Sequence, residues 1–360
     1  MYKWVRGRLA EKTLVLITAV ILGGVGATEH FTMTVRHPAF AEQVAAARLM
    51  GEALEALSEF RRELGIPINP QLDPNATGLI GEEITELTTS LGSLEAKRTA
   101  TNPAFAALMV AYFHQLGLAE GDVVAIGASG SFPALLLATL AAAQVLELRP
   151  LVIYSVGSST YGANIPGFTF VEMLDHLNRQ GILTCRILAV SPGGDLDQAV
   201  GLFQPFTLAE VARLGEQYGV QVILAESLAE SIQTRLRIYQ QAAGNATIKC
   251  FVNIGGAAPN LGETAAALRF PSGLTRRAPV QATGPERGLL FEFSELGVPV
   301  INLLNIKGLA VENGLPIDPY PLPPVGSGGV YYVVGYRKEL PLVTILLVWL
   351  LIRKNGAQKR

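Results

Sequence analysis

The residues best suited by type and spacing to do chemistry are those of Gly127-Ala128-Ser129-Gly130-Ser131-Phe132-Pro133. They lie between a short apolar run, 123–126, and a long apolar stretch of helical character from Ala134 onward, the pattern of a buried strand feeding a helix. Gly127 and Gly130 permit a tight turn, Ser131 is the expected N-cap, and Pro133 suits the first helical turn. Such a turn directs free N–H groups and a positive dipole end outward. Three readings follow: a plain strand-to-helix turn, an anion site, or a nucleophile elbow with Ser129 exposed. Gly127-x-Ser129-x-Ser131 departs from Gly-x-Ser-x-Gly in its last position. The phosphate loop Gly-x-x-x-x-Gly-Lys-Ser/Thr and the dinucleotide fingerprint Gly-x-Gly-x-x-Gly are both absent here, so no cofactor is expected.

Hydrolysis through Ser129 needs a base. His176 lies beside Asp175 on one helix, where neighbours point different ways, and reads as a surface residue. Lys97 is the better candidate, in a Ser–Lys arrangement. Asp195 and Glu226, each just after a strand-like run, are candidate orienters or bases. Lys97, Arg98 and Glu95 lie in a long polar stretch, 77–103, whose length without periodicity marks it as functional or poorly ordered. Arg98 would give charge-assisted contacts to a carboxylate. The four histidines, His30, His37, His114 and His176, and the two cysteines, Cys185 and Cys250, lack metal-ligand spacing. The cysteines read as two buried thiols, or as a pair if their strands are neighbours.

The elements that must position these groups come from the alternation of strand-like and helical stretches after Asp122. Strands are expected at 123–126, 151–156, 184–190, 220–225, 250–254 and 298–304, which predicts an α/β fold with a mainly parallel sheet, helices on both faces and three layers of Rossmann type. The loops after these strands share small polar residues: Gly127, Gly130 and Ser131; Ser158 and Ser159; Gly193, Gly194 and Asp195; Gly255 and Gly256. At the carboxyl edge of an open parallel sheet they would share one ligand crevice. Capping boxes are expected at Thr169 with Glu172 and at Asn260 with Glu263. Before the sheet, 41–66 reads as an amphipathic helix serving as a stalk or as the first layer of the domain. Thr101 or Asn102 then caps a helix over 103–116.

The mean hydropathy of +0.34 is high for a soluble chain. Two uncharged apolar runs contribute to it, 13–27 and 340–352, each shorter than the roughly 20 residues that span a bilayer upright. Basic residues flank both on the outer side, so the positive-inside rule gives cytoplasmic tails at 1–12 and 353–360, membrane segments at 13–28 and 340–352, and an extracytoplasmic domain over 67–330. Val25-Gly26-Ala27 would also pass as a signal-peptide cleavage site. The tails hold eight of the 28 Lys and Arg and one of the 30 acids, leaving 20 against 29, or −9, for residues 13–352. No nucleic acid partner is expected for so acidic a body.

Three phrases, LGSLEAKRTATNP, VAIGASGSFPAL and VIYSVGSSTYGANIPGFTF, together resemble the bacterial family of poly-γ-glutamate system proteins, over most of residues 40–320. The resemblance implies a membrane-associated component of poly-γ-glutamate synthesis or export, with the polymer, the synthase's membrane proteins and the lipid bilayer as partners. It carries no catalytic residue. The implied role is to hold the anionic polymer or assist the synthase; the alternative is a serine-dependent γ-glutamyl hydrolase or transferase. A polymer with a carboxylate on every unit, or another carboxylate ligand, suits a crevice of helix N-termini and Gly-rich loops.

Overall fold

Short apolar runs bounded by turn residues can satisfy their backbone only by pairing with one another, while the longer apolar stretches between them close their own hydrogen bonds as helices. In the computed structural model, which describes residues 9–199, 204–278 and 280–357, they do so in this order. First come α1 (Glu11–His30), β1 (Thr32–Arg36), α2 (Phe40–Glu63), β2 (Thr88–Ser90), α3 (Leu94–Ala100) and α4 (Ala104–Leu116). Next are β3 (Val123–Ser129), α5 (Pro133–Val145), β4 (Arg149–Ser155), β5 (Ser158–Ser159), α6 (Phe170–Arg179), β6 (Ile187–Ser191), α7 (Gln204–Tyr218) and β7 (Gln221–Val222). The remainder are α8 (Leu228–Ala243), β8 (Ile248–Ile254), α9 (Ala258–Leu261), β9 (Gly273–Thr275), α10 (Leu289–Glu295), β10 (Val300–Leu303), α11 (Ile306–Glu312), β11 (Tyr332–Tyr336) and α12 (Glu339–Ala357).

Ala39–Tyr331 forms one unit, built on a seven-stranded sheet of order β7-β6-β4-β3-β8-β10-β9. Every pairing is parallel except β9 on β10, a short antiparallel edge that the sequence pattern does not reveal. The chain steps outward from β3 through β4 and β6 to β7, then returns to place β8 on the other side of β3. That reversal is the topological switch point, where ligands enter open α/β sheets. Alternation along β3 divides the core. Val124, Ile126 and Ala128 join a cluster with residues of α2, α4, α5 and α6, while Val123 and Ala125 join one with residues of α8 and α10. Both faces are therefore covered, which is why the strands read as continuous apolar runs.

Helix α2 belongs to this unit as its first layer and is not a stalk: Ala46, Ala47, Met50, Ala53 and Leu57 are fully buried against it. Its Arg61, also buried, donates to the carbonyls of Pro67, Gly78 and Ile80 and so orders the start of the polar stretch. The expected strand at 184 begins only at Ile187, because the N–H groups of Thr184 and Cys185 are taken by the side chains of Gln144 and Asn178. Cys185 and Cys250 are both free thiols; β6 and β8 are separated by two strands, so the pairing alternative fails. Burial pushes the Cys185 thiol up to about 12 and Cys250 higher still.

The terminal segments form a second unit. β1 pairs antiparallel with β11, from Thr32 opposite Tyr336 to Arg36 opposite Tyr332. α1 and α12 pack side by side so closely that a Cβ on Gly24 would lie 2.2 Å from Thr344 Oγ1. α1 has no buried residue and is the one helix among the described residues long and apolar enough to cross a membrane. The expected second membrane segment does not pass the same test. Its 13-residue apolar run, 340–352, spans only about 20 Å as a helix, short of a hydrocarbon core of about 30 Å.

Candidate functional site

Three neighbouring strands end on serine at the carboxyl edge of the sheet, with Ser129 in register with Ser155 and Ser155 with Ser191. Above them opens a cleft of about 320 Å³. Ser129, Ser131 and Phe132 line it after β3, Ser155, Gly157 and Ser159 after β4, Gly193, Gly194 and Asp195 after β6, and Gly256 after β8. One wall comes from outside the sheet. The segment Thr89–Gly92 and Lys97 on α3 cover the cleft because β2 pairs in parallel with β5, setting Thr88 against Ser158 and Ser90 against Ser159. Ser93 caps α3 through the N–H of Ala96 and fixes the helix that carries Lys97.

Lys97 is 3% exposed. Its Nζ donates to Ser159 Oγ at 2.7 Å and to the carbonyl of Ser131, and it sits 3.9 Å from the centre of the Phe132 ring. No carboxylate lies within ion-pair distance of it among the described residues. Desolvation without an anion disfavours the ammonium, and burial brings Lys97 down from 10.5 to about 7. A lysine half-deprotonated near neutrality, in contact with a serine hydroxyl, can take that hydroxyl's proton.

The serine it touches is Ser159, not Ser129. Ser129 is buried, and its Oγ reaches only the carbonyl of Ile254 at 3.5 Å. Gly255 leaves room for the same oxygen: its φ is +78°, and a Cβ there would stand 2.4 Å from Ser129 Oγ. Ser131 does not cap α5; that position falls to Phe132, which has no side-chain cap bond, while Ser131 Oγ accepts from the N–H of Ser159 at 3.0 Å. The N–H groups of Ser131 and Phe132 have no acceptor among the described residues. On the opposite wall, a Cβ on Gly92 would lie 2.8 Å from Ser159 Oγ, so glycine keeps that hydroxyl clear.

Other expected site residues lie elsewhere. Arg98 faces Asp318, donating from Nε at 2.7 Å and from Nη2 to the second oxygen, and lines no part of the cleft. Glu95 pairs with Lys307. Gly127 is packed under the side chain of Asn260, Gly130 against the carbonyl of Val156, and Ser158 is fully buried with its Oγ on the carbonyl of Ser159. These three, with Gly255, shape the wall from behind. Asn260 lies inside α9, donating to Asn253 Oδ1, so the capping box expected with Glu263 does not form; that of Thr169 and Glu172 does. His176 stacks on Phe60, and Glu226 is exposed away from the cleft. No cluster of His, Cys, Asp and Glu suited to a metal ion occurs among the described residues.

Beneath the cleft floor lies a buried ion pair. Asp197, in the loop after β6, accepts from Arg235 of α8 at 3.0 Å, from Ser231 at 2.6 Å, from Ser191 at 2.7 Å and from the N–H of Gly193 at 3.0 Å. Arg235 also donates to Ser155 Oγ at 3.0 Å. This network ties the loop carrying Gly193 and Asp195 to the ends of β4 and β6. One signal for it stands in the sequence: Arg235 falls on the apolar face of α8, in phase with Leu228, Ile232, Ile238 and Tyr239.

The chain matches no protein-family model, no curated protein and no solved structure in the comparisons made.

Proposed function

We propose that this chain is a membrane-anchored, extracytoplasmic Ser–Lys hydrolase or transferase acting on the γ-glutamyl amide bonds of poly-γ-glutamate. The contact between Lys97 Nζ and Ser159 Oγ at 2.7 Å, in a cleft at the switch point of the sheet, carries the reading. Neutral Lys97 removes the proton from Ser159, whose Oγ attacks the γ-carbonyl carbon. The C–N bond then breaks, and Lys97 passes the proton to the departing amine. Water or a second amine, deprotonated in turn by Lys97, releases the acyl group from Ser159. The free N–H groups of Ser131 and Phe132 are the donors available to a developing oxyanion.

The polymer enters through the family resemblance, and the anchoring through the apolar terminal helices with their basic outer flanks. α1 supports a spanning role by its length and exposure. α12, also apolar and exposed, pairs with it through the close approach of Gly24 to Thr344. With α1 as the spanning segment and its basic flank inside, the N-terminus is cytoplasmic and Ala39–Tyr331 is outside. A second reading, a holding site for the emerging polymer beside the synthase, is favoured by the same lysine: a buried ammonium with no carboxylate partner suits a ligand carboxylate.

The test is a fluorophosphonate probe and poly-γ-glutamate applied to the full chain in detergent micelles. The expected result is a covalent adduct on Ser159 and polymer cleavage, both lost in Ser159→Ala and kept in Ser129→Ala. Polymer that binds but stays intact, with no adduct on Ser159, would leave the holding site as the function.

A further inference from the structure

Among the described residues lining the cleft, two carry formal charge, Lys97 and Asp195. Lys97 is engaged with Ser159 and the carbonyl of Ser131 deep in the wall. Asp195 is exposed, and its carboxylate has no hydrogen-bond or ion-pair partner among the described residues. Its loop is tied to the sheet on either side of it, through Gly193 and Asp197 of the Asp197–Arg235 network. When Lys97 is neutral, as attack by Ser159 requires, the charge of the cleft is that of Asp195 alone.

An acid is a poor lining for the interior of a polyanion. Every internal unit of a γ-linked glutamate chain brings a carboxylate and no cation, and like charges at close range cost binding. The amino end differs, because its first unit carries an ammonium. That ammonium lies four bonds from the γ-carbonyl carbon, about 5 Å in an extended chain. A cleft of about 320 Å³ is at the small end of ligand pockets, roughly 300–1,000 Å³, and suits a chain end better than a threaded strand. We propose that Asp195 makes the site select chain ends: its carboxylate receives the free ammonium of the terminal unit, so the enzyme removes that unit and does not cut within the chain. This rests on the Ser159–Lys97 hydrolase reading. The reaction is otherwise as above: the first γ-amide C–N bond breaks, the terminal glutamyl group passes to Ser159, and water or an added amine takes it.

The test uses the full chain in detergent micelles with two probes, poly-γ-glutamate with a free amino terminus and the same polymer N-acetylated, with hydroxylamine present as an alternative acceptor. The expected result is steady release of glutamate or its hydroxamate from the free-ended polymer and at least about tenfold slower cleavage of the acetylated one, the worth of one charge-assisted contact. In Asp195→Asn that ratio falls towards one. The wild-type ratio tests end selection without any variant. Equal rates on the two polymers, with mid-chain fragments, overturn end selection and leave the hydrolase standing. An unchanged ratio in Asp195→Asn removes Asp195 from the role. No cleavage of either polymer overturns the hydrolase reading and this inference with it.

Discussion

Lys97→Met tests the origin of the site's basicity. Burial lowers Lys97 from 10.5 to about 7, and at 3% exposure solvent screens little of this. The displacement is equivalent to roughly 5 kcal/mol between charged and neutral forms. Below pH 7 both folded and unfolded chains carry the ammonium, and the full cost of burying it is present. Between about 7 and 10.5 the folded chain releases its proton first, so wild-type stability from this group rises by roughly 1.4 kcal/mol per pH unit. Methionine keeps the length and removes the charge, but leaves Ser159 Oγ and the Ser131 carbonyl short of a donor, at about 1–2 kcal/mol each. The variant should therefore be the more stable protein at pH 6, by about 1–3 kcal/mol, and lose that advantage by about pH 9. Urea unfolding of the full chain in micelles, followed by near-ultraviolet circular dichroism, reads this. The buried Tyr154, Tyr239 and Tyr331 all lie in Ala39–Tyr331, whereas both tryptophans lie outside it. A stability difference that stays constant from pH 6 to 9.5 would refute a desolvated lysine.

Two further outcomes follow from close contacts. Asp197→Ala strands Arg235, which is wholly buried, and should cost about 3–5 kcal/mol in the same unfolding measurement, much of it restored by adding Arg235→Met. Gly24→Val drives a side chain into Thr344; it should weaken disulfide cross-linking between cysteines placed at Ile21 and Ile345, while the unfolding midpoint of Ala39–Tyr331 stays unchanged.

Half of the site was legible in the sequence because it is built from local rules. The strand, the turn and the helix around Ser129 are contiguous, and the loops after β4, β6 and β8 reach the same edge by parallel topology alone. What periodicity could not supply was the wall above that edge. β2 and β5 are three and two residues long, below the length at which alternation can be read, and each is a strand only because the other is there. The polar stretch 77–103 looks structureless for a related reason. Its order comes from side chains of other elements, among them Arg61 of α2 and Asn164, which donates to Glu82 O.

That division explains why Lys97 stands out as a base while Ser159 reads as a crevice residue and not as its partner. A lysine among hydroxyls is visible as a candidate base, but the serine it meets lies 62 residues away, brought near by the β2–β5 pairing. The elbow serine ends β3, where its Oγ reaches the carbonyl of Ile254 and, among the described residues, no base. A serine acts as a nucleophile only with a base in reach. In the reading proposed above Lys97 supplies it to Ser159, which lines the cleft as Ser129 does. The lysine contact therefore lies one strand over from where the motif points, at the serine after β4 and not at the end of β3.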